Sequence, residues 1–557
     1  MSQQAPLLQV RNLSVTFETE ERVVNAVKDI SFDVMPGEVL GLVGESGSGK
    51  TVTGMSILRL VPSPPGRYDS GEILFEGQDI LKLRPEDLRK IRGEKISAIF
   101  QEPMTALSPL KKVGEQLREL LDIHRPTWTR ADKEKMVLDW LHKVGIPDPE
   151  TRQHQYPFQF SGGMRQRVTI AMALMLEPRL VIADEPTTAL DVTLQAQVFE
   201  LMMQMKSSKT SMIFITHDMG VVWELCDRVL VMKNARFVEE GPVESLFGNP
   251  REPYTQKLLA AVPRLSDPPV RSDAEFPPKP IVHTDGLMTW FPIKRGVISR
   301  TVSHVKAVDG VNMQIRPGET VGVVGESGSG KSTLGRTLIG LEKATGGELF
   351  YESSPLRGLK SKDWRMIRRE IQMIFQDPYS SLNSRMRVLD LITEAPIVHG
   401  LLSHADPDYA ANCLEEVGLS PDMLRRYPHE FSGGQRQRIC IARALALKPK
   451  IIICDEAVSA LDVTIQAQIL ELLLELRERH NLAYLFISHD LGVVKRICDH
   501  VLVMQHGKIV EEGSPTQIVE SPQHPYTQRL LSAVPSPGDP AKRRAVLQTA
   551  VTPVSGT

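Results

Sequence analysis

The chain has 557 residues, which is too many for one hydrophobic core and favours two to four folding units. Its 66 basic residues nearly balance its 68 acidic residues, so the net charge of −2 gives no general reason to expect a nucleic-acid partner. No apolar run reaches the ~18 residues that a membrane-spanning helix needs, and the first residues lack the pattern of a signal peptide. We therefore expect a cytosolic protein that reaches a membrane only through a partner.

Cysteine spacing narrows the possible cofactors. The five cysteines are scattered and form no C-x-x-C pair, which disfavours a zinc site, an iron–sulfur cluster and a disulfide framework. We expect reduced thiols that are mostly buried.

An internal repeat dominates the sequence, because three motifs occur twice in the same order. The copies are separated by nearly constant distances: 281 residues from Lys50 to Lys331, 271 from Ser161 to Ser432 and 272 from His217 to His489. Collinear copies indicate duplicated domains. Six prolines between Pro263 and Pro280 predict an extended linker. The predicted division is a first domain over residues 1–263, a linker over 264–283, a second domain over 284–535 and a poorly ordered tail over 536–557.

Within each half, short β-branched runs such as VLGLV and LVIAD alternate with helical stretches. This alternation is typical of a parallel sheet covered by helices, so the predicted class is α/β. From Pro103 to about Leu176, and again from Pro378 to about Leu447, the pattern changes to helical periodicity with Pro and Gly breaks. These two segments predict inserted helical subdomains.

A glycine-rich segment after the VLGLV run fits G-x-x-x-x-G-K-[ST] and returns in the second half. Its glycines would let backbone N–H groups converge on phosphate oxygens at a helix N-terminus. Lys50 and Lys331 would reach the β- and γ-phosphates, and the Thr51 and Ser332 hydroxyls would bind magnesium. A plain glycine-rich turn is the alternative, which two copies in register disfavour. The predicted phosphate-binding residues are Gly44, Glu45, Ser46, Gly47, Ser48, Gly49, Lys50 and Thr51, and Gly325, Glu326, Ser327, Gly328, Ser329, Gly330, Lys331 and Ser332.

Each half also contains an apolar run that ends in Asp-Glu. Asp184 and Asp455 are placed to hold magnesium, and Glu185 and Glu456 are placed to polarise the attacking water. Without context such a pair would be an ordinary solvated turn. The preceding phosphate loop and the LDV that follows favour catalysis.

A histidine ends a later apolar run in each half, His217 in FITHD and His489 in FISHD. One histidine in such a place is more often a core or turn residue. Because it occurs in both halves, we predict that it contacts the γ-phosphate and orients the water.

FSGGMRQR at Phe160 and FSGGQRQR at Phe431 resemble the ABC ATPase signature, commonly written LSGGQ. Residues that match other motifs of that family are Gln101, Gln376 and the Ala-Leu-Asp loops at Asp191 and Asp462. The resemblance covers nearly the whole chain. It implies an ATP hydrolase that uses ATP and Mg²⁺ and consists of two tandem P-loop domains. Each would have a parallel-sheet core, an antiparallel β subdomain and an inserted helical subdomain.

In that family the signature turn binds the γ-phosphate of nucleotide held by the opposite domain. The glutamines would act in catalysis and contact the metal. The first site implied by the resemblance joins Lys50, Thr51, Gln101, Asp184, Glu185 and His217 to Ser432, Gly433, Gly434 and Gln435. The second joins Lys331, Ser332, Gln376, Asp455, Glu456 and His489 to Ser161, Gly162 and Gly163.

Two departures from the family pattern bear on activity. Met164 stands where the signature usually has Gln, so we expect a weaker polar contact at the second site but not its loss. Ala457 replaces the usual Pro after the second Asp-Glu. Both glutamates are present, and we predict two working sites.

Phe17 and Phe291 match the family position whose aromatic ring stacks on adenine. Each lies at the end of an alternating strand, where core packing is the alternative. We predict stacking.

The tails EPYTQKLLAAVP, from Glu252, and HPYTQRLLSAVP, from His524, resemble those of dipeptide, oligopeptide and nickel importer ATPases, and the fused chain is most similar to the glutathione type. A helix that caps its domain is the alternative for each tail.

EPMTALSP and DPYSSLNS resemble segments that border the groove for a permease helix. The resemblance implies two permeases, a periplasmic or extracellular substrate-binding protein, and a peripheral location on the cytoplasmic face of the inner membrane. Many relatives carry a cysteine cluster near this tail; it is missing here, so we predict no iron–sulfur centre.

Two other classes of ATPase fit the sequence less well. A tandem ABC ATPase of the translation-factor kind, acting on ribosomes, would need a long charged helical linker, whereas this linker is short and proline-rich. A DNA-repair ATPase would need zinc-binding cysteine pairs or long heptad arms. We therefore predict the motor subunit of a peptide importer.

Overall fold

The computed structural model describes residues 5–18, 23–101, 106–187, 191–268, 276–295, 300–459, 461–535, 537 and 543. These residues divide into two compact units. The first contains the described residues of 1–190 and 194–262 and those after 534, and the second contains 191–193 and those of 263–534.

The strands of the first half are β1 (Leu8–Glu18), β2 (Val23–Val34), β3 (Val39–Val43), β4 (Gly66–Phe75), β5 (Gln78–Asp79), β6 (Ile96–Ile99), β7 (Leu180–Asp184), β8 (Ser211–Ile215), β9 (Arg228–Lys233) and β10 (Arg236–Pro242). Its helices are α1 (Lys50–Ile57), α2 (Pro85–Ile91), α3 (Val113–His124), α4 (Arg130–Lys143), α5 (Pro149–Arg152), α6 (Gly162–Leu174), α7 (Val192–Met205), α8 (Met219–Leu225), α9 (Val243–Gly248) and α10 (Pro253–Ala261).

The second half repeats this order with β11 (Val282–Arg295), β12 (Arg300–Ile315), β13 (Thr320–Val324), β14 (Gly346–Tyr351), β15 (Ser354–Pro355), β16 (Ile371–Ile374), β17 (Ile451–Asp455), β18 (Ala483–Ile487), β19 (His500–Gln505) and β20 (Lys508–Gly513). Its helices are α11 (Lys331–Leu338), α12 (Ser361–Glu370), α13 (Pro378–Ser381), α14 (Val388–Val398), α15 (Pro407–Glu416), α16 (Gly433–Leu445), α17 (Val463–His480), α18 (Leu491–Ile497), α19 (Pro515–Glu520) and α20 (Pro525–Ser532).

Each unit contains a mostly parallel sheet and a smaller antiparallel sheet among its described residues. In the first unit the orders are β10-β9-β3-β8-β7-β6 and β2-β1-β4-β5. The larger sheet is parallel except for the β9–β10 pair. In the second unit the orders are β16-β17-β18-β13-β19-β20 and β12-β11-β14-β15. The predicted α/β class is confirmed.

The parallel strands are buried on both faces because each face packs on a different layer. Along β3, Leu40 and Leu42 pack with the antiparallel sheet, whereas Val39 and Val43 pack with helices. This explains why the strands are continuous apolar runs. Because β3 and β7 both run parallel to β8, their C-terminal ends lie at the same edge of the sheet, and with them the phosphate loop and the Asp-Glu pair.

The predicted helical insertions are present in each half. In the first, α3 and α4 pack against α6, and in the second, α14 and α15 pack against α16. Residues 102–105, which belong to the first predicted permease-facing segment, lie outside the described residues. In the corresponding second segment, the Asp377 carboxylate accepts hydrogen bonds from Tyr379 N–H and Ser380 N–H at the start of α13.

The predicted linker and tail have packed portions. Leu265, within the predicted linker, packs on the core of the second unit, whereas Val262 just before the linker packs on the core of the first. Within the predicted tail, Arg543 is buried and its guanidinium donates to the Glu244 carboxylate at 2.8 Å and to the Cys226 carbonyl at 3.1 Å. Residues 269–275, 536, 538–542 and 544–557 lie outside the described residues.

The five cysteines are all free and buried. Burial raises the pKa of the Cys413 and Cys440 thiols to about 11, so both are protonated and unreactive at neutral pH. Among the described residues, no helix is both long and apolar enough to cross a membrane.

A buried ion pair joins α17 to the turn before β19 in the second unit. The Arg477 side chain on α17 is 2% exposed, and its guanidinium lies 3.0 Å from the Asp499 carboxylate, which is 5% exposed. The same guanidinium donates to the Thr320 hydroxyl at 2.8 Å. Arg477→Ala should lower the free energy of unfolding by about 3 kcal/mol, because Asp499 would stay buried without its cation. Urea unfolding of the full chain measures the change.

The matched control for this prediction is Arg479→Ala on the same helix. Arg479 is 47% exposed and pairs with Glu475, so its loss should change the free energy of unfolding by less than ~0.5 kcal/mol. Equal effects of the two substitutions would contradict a stabilising role for the buried pair.

Candidate functional site

The phosphate loop of the first unit connects β3 to α1 and requires glycine at two described positions. Gly44 and Gly49 have φ of 151° and 108°. A β-carbon on Gly44 would lie 2.1 Å from the Met232 carbonyl oxygen, and one on Gly49 would lie 2.2 Å from the Ala26 carbonyl oxygen. Any side chain would therefore displace the loop from the strand beside it.

The lysine of each loop is buried beneath it. Lys50 Nζ donates to the carbonyl oxygens of Gly44 and Glu45 at 2.7 and 2.9 Å. Lys331 Nζ makes the same two bonds at 2.7 and 2.9 Å. Burial lowers the pKa of Lys331, which is the response of a cation removed from water.

Both loops have the chemistry that a triphosphate needs. The hydroxyls of Ser48 and Ser329 are buried and have no hydrogen-bond partner within the described protein. A β-carbon on Gly47 or Gly328 would meet no atom within 4 Å, so these loops face open space. Hydroxyls and backbone donors around a buried lysine fit a phosphate group.

A hydroxyl and a carboxylate from different elements meet in each unit. Thr51 Oγ1 lies 3.3 Å from Asp184 Oδ1, and Ser332 Oγ lies 2.7 Å from Asp455 Oδ1. Burial raises the pKa of the Asp184 carboxyl to about 6 and raises that of Asp455. A nearby cation would offset the cost of burying each carboxylate. Hydroxyl and carboxylate oxygens are the hard ligands that Mg²⁺ prefers, so each pair fits a Mg²⁺ site.

The predicted catalytic side chains of the first unit form one connected group. Glu185 Oε2 accepts from Gln101 Nε2 at 2.8 Å, and Glu185 Oε1 lies 3.1 Å from His217 Nδ1. The Glu185 backbone has φ of 45° and its N–H donates to the Ile215 carbonyl. A non-glycine residue held in this conformation is strained, and the neighbouring strand maintains it.

The second unit reproduces this group. Gln376 Nε2 donates to Glu456 Oε2 at 2.7 Å, and His489 Nδ1 lies 3.5 Å from the same oxygen. Burial acts to raise the pKa of Glu456, but His489, the charge of Lys331 and the hydrogen bond from Gln376 together lower it. Burial acts to lower the pKa of His489, but Glu456 and the charge of Asp490 together raise it. The pair therefore favours a carboxylate beside an imidazolium.

Each signature turn starts a helix and is capped by its serine. The Ser161 hydroxyl accepts from Met164 N–H at 3.3 Å at the start of α6. The Ser432 hydroxyl accepts from Gln435 N–H at 3.4 Å, and the Gln435 side chain accepts from Ser432 N–H at 3.1 Å. Met164 has no acceptor for the second bond, so the first turn has only one half of this reciprocal cap.

The two predicted adenine-stacking residues lie in different environments. Phe17 packs partly buried against the core of the first unit. Phe291 is 37% exposed. Exposure leaves the Phe291 ring face available for stacking, whereas the packing of Phe17 is also that of a core residue, so adenine stacking stays a prediction for both.

Two tyrosines at the loops were not predicted as site residues. Tyr254 and Tyr526 lie in the PYTQ repeats, and their hydroxyls accept from Glu45 N–H at 3.1 Å and from Glu326 N–H at 2.8 Å. The signal that could have found them is that the PYTQ sequence is identical in the two tails. Motif spacing alone does not connect this sequence to a loop that lies 209 or 200 residues earlier in the chain.

Two loops of the G-x-x-x-x-G-K-[ST] kind, each beside a hydroxyl–carboxylate pair and a strained glutamate, define a tandem P-loop ATPase. Comparison with known families agrees. A family described as ABC transporter matches residues 27–188 and 308–459, and one described as oligopeptide/dipeptide transporter, C-terminal region, matches 238–280 and 510–555. The chain belongs to the ABC transporter ATP-binding family, whose members are ATPases that use ATP with Mg²⁺.

Curated relatives match along nearly the whole chain. A peptidoglycan transport ATP-binding protein, YejF of Agrobacterium fabrum, is 51% identical over 95% of this chain and 96% of its own length. A glutathione import ATP-binding protein, GsiA of Escherichia coli K12, is 46% identical over 97% of this chain and 91% of its own. Among solved structures, the ADP- and Pi-bound dimeric cassette MJ0796 is 26% identical and covers 42% of this chain and 98% of its own, with a TM-score of 0.39.

Proposed function

We propose that each half binds and hydrolyses ATP with the residues that its own fold brings together. The loop N–H groups, Lys50 and Lys331 bind the phosphates, and the Thr51–Asp184 and Ser332–Asp455 pairs supply the metal ligands. When bound, MgATP supplies the phosphoryl bond to be cleaved and a metal that neutralises its charge.

In this mechanism the two glutamates act as the general bases of ATP hydrolysis. Glu185 and Glu456 each lie at the end of a buried strand, where a glutamine fixes one carboxylate oxygen and a histidine lies at hydrogen-bond distance or just beyond it. A carboxylate held in this way can accept a proton from the attacking water, and His217 or His489 can then orient the water and contact the γ-phosphate.

The signature turns complete the proposed sites. Each presents a serine hydroxyl and glycine N–H groups at a helix N-terminus, which favours an anion. We place Ser432 in the site of the Lys50 loop and Ser161 in that of the Lys331 loop, as the family resemblance implies. ATP would then bind both halves, and hydrolysis would release them from each other.

The cargo proposed is a peptide of the dipeptide, oligopeptide or glutathione class. The observation that carries this is the oligopeptide/dipeptide C-terminal region, which follows the ATPase segment of both halves. The names of the two relatives support a cargo with peptide bonds, since glutathione is a tripeptide and peptidoglycan is a glycan that carries peptide stems. The ribosome-acting alternative finds no support among these relatives.

The partners proposed are two permease subunits and, through them, a periplasmic or extracellular substrate-binding protein. The chain would lie on the cytoplasmic face of the inner membrane. The groove for the permease would include the DPYSSLNS segment, where Tyr379 is 66% exposed.

The experiment that tests this function is uptake in cells whose own copy of the gene is deleted. The full chain is restored together with the proposed permeases and substrate-binding protein, and uptake of labelled glutathione and of a labelled tripeptide is measured. We expect uptake with the native chain and at least a tenfold lower rate with the Glu185→Gln, Glu456→Gln double variant.

The control is the same strain supplied with a labelled amino acid that does not require this system. Its uptake should be equal with both chains. Co-purification with ribosomes in place of two membrane proteins, or peptide uptake that does not depend on the glutamates, would overturn the proposed function.

A further inference from the structure

The tails that follow each ATPase segment place a tyrosine on the phosphate loop. The Tyr254 hydroxyl accepts a hydrogen bond from Glu45 N–H, and the Tyr526 hydroxyl accepts one from Glu326 N–H. Glu45 and Glu326 are the second residues of their loops. The same contact occurs in both units, so it does not depend on the differences between the two halves.

The peptide groups on either side of this loop residue are held by two side chains. In the first unit, Tyr254 accepts from the Glu45 N–H, and Lys50 Nζ donates to the Glu45 carbonyl at 2.9 Å. In the second, Tyr526 and Lys331 hold Glu326 in the same way. The lysine is the one that reaches the phosphates in the proposed mechanism, so tyrosine and lysine restrain the same short piece of backbone.

Each tyrosine is in turn fixed to the sheet that carries the loop. Tyr254 is the second residue of α10, and the turn before that helix is held by Glu239 on β10, whose carboxylate accepts from the N–H groups of Arg251 and Glu252 at 2.7 and 3.2 Å. Pro253 at the first helical position presets the backbone for the helix.

The second unit repeats the arrangement with its own residues. Glu511 on β20 accepts from the N–H groups of Gln523 and His524 at 2.7 and 3.1 Å, and Tyr526 follows at the start of α20. β9 lies between β10 and β3, and β19 lies between β20 and β13. The strand that holds the turn before each tyrosine and the strand that carries the loop therefore belong to one sheet.

Both tyrosine side chains are buried and lie beside a cation. Tyr254 is 8% exposed and Tyr526 is 1% exposed. Lys233 Nζ lies 4.6 Å from the centroid of the Tyr254 ring, and the Arg529 guanidinium lies 5.8 Å from that of Tyr526. Burial raises the pKa of Tyr526 to about 12, so this hydroxyl stays protonated.

We propose that Tyr254 and Tyr526 are positioning residues of the ATPase, whose hydroxyls hold the start of each phosphate loop in its phosphate-binding conformation. The C-terminal helix of each half is then part of the nucleotide site and not only a cap on its domain. Before ATP binds, the hydroxyl restrains the loop; after ATP binds, the phosphates hold it as well. The tyrosine therefore contributes to affinity for MgATP more than to the rate of hydrolysis.

The test compares Tyr254→Phe, Tyr526→Phe and the double variant in the full chain. Phe keeps the ring and removes the hydroxyl that accepts from the loop N–H. The loss of one neutral hydrogen bond predicts a KM for MgATP about threefold to tenfold higher in the double variant. We expect kcat at saturating MgATP to stay within about twofold of the native value, since uniform binding affects KM alone.

Two further measurements separate positioning from structure. MgATP binding at equilibrium, measured in a Glu185→Gln, Glu456→Gln background that does not hydrolyse it, should weaken by the same factor. Hydrogen exchange without nucleotide should be faster at the amides of Glu45 and Glu326, because each loses its acceptor.

The matched control is Tyr484→Phe, which removes a buried hydroxyl that donates to the Leu473 carbonyl at 3.0 Å, on an element that does not carry the loop. It should lower thermal stability and leave the KM for MgATP unchanged.

If the double variant does not fold, each single variant should show the effect in its own half. Lower stability with unchanged KM and unchanged exchange at both amides, as in the control, would overturn the proposal. The result is independent of the cargo, so failure of the peptide-uptake experiment leaves it standing.

Discussion

The chain that carries both Glu185→Gln and Glu456→Gln is expected to hydrolyse ATP at least about a hundredfold more slowly than the native chain. Each substitution removes the carboxylate that is fixed by Gln101 or Gln376 and faces a histidine, while keeping the size of the side chain. Binding of MgATP should persist, because the phosphate loops are unchanged. Phosphate release and equilibrium MgATP binding, measured on the same protein, check the two parts of this expectation.

The single variants test whether both sites work. Glu185→Gln and Glu456→Gln should each lower hydrolysis, because both units hold the glutamate in the same strained conformation, with φ of 45° and 48°. The surface change Glu134→Gln, which alters an exposed pair with Arg130 on α4, should leave hydrolysis unchanged. Loss of turnover in Glu185→Gln with none in Glu456→Gln would show that only one site is competent.

Replacing the last glycine of a phosphate loop should impair the ATPase as strongly as replacing the glutamates does. The cause here is the shape of the loop, not the loss of a reacting group. Gly330 has φ of 109°, and a β-carbon there would lie 1.9 Å from the Ala307 carbonyl oxygen. Gly330→Ala should therefore abolish MgATP binding in the second half and lower the free energy of unfolding by about 3 kcal/mol or more. Gly49→Ala should do the same in the first half, where the distance is 2.2 Å.

The matched control for these glycines is Gly241→Ala on β10. A β-carbon there would meet no atom within 4 Å, so stability and MgATP binding should be close to native. Nucleotide binding by calorimetry and unfolding by urea measure both quantities. Native-like MgATP binding by Gly330→Ala would mean that the loop tolerates a side chain, contrary to the geometry.

Part of the site was predictable from the sequence because it is local. A phosphate loop is a contiguous motif between a strand and a helix, and its glycine, lysine and hydroxyl positions follow from spacing alone. The same holds for the Asp-Glu pair at the end of an apolar strand. Duplication of both motifs at nearly constant separation predicted two domains, and the α/β class followed from the alternation of strands and helices.

Other features depend on contacts between residues far apart in the chain. Gln101 and Glu185 are 84 residues apart, yet their side chains meet at 2.8 Å because β6 and β7 are neighbours in the sheet. The sequence suggested this pair only by resemblance to a family. It contained no sign that Arg477 is buried against Asp499, since an isolated arginine on a helix is usually exposed.

The order of residues was enough to identify two phosphate loops, two Asp-Glu pairs, a histidine after a later strand in each half and two signature turns. The folded structure was needed to show which of these groups are in contact, that Glu185 and Glu456 have positive φ, and that Tyr254 and Tyr526 accept hydrogen bonds from the loops. A local motif depends on backbone geometry over a few residues, whereas a hydrogen bond from a backbone N–H to a tyrosine hydroxyl 200 residues later depends on how the whole sheet is ordered.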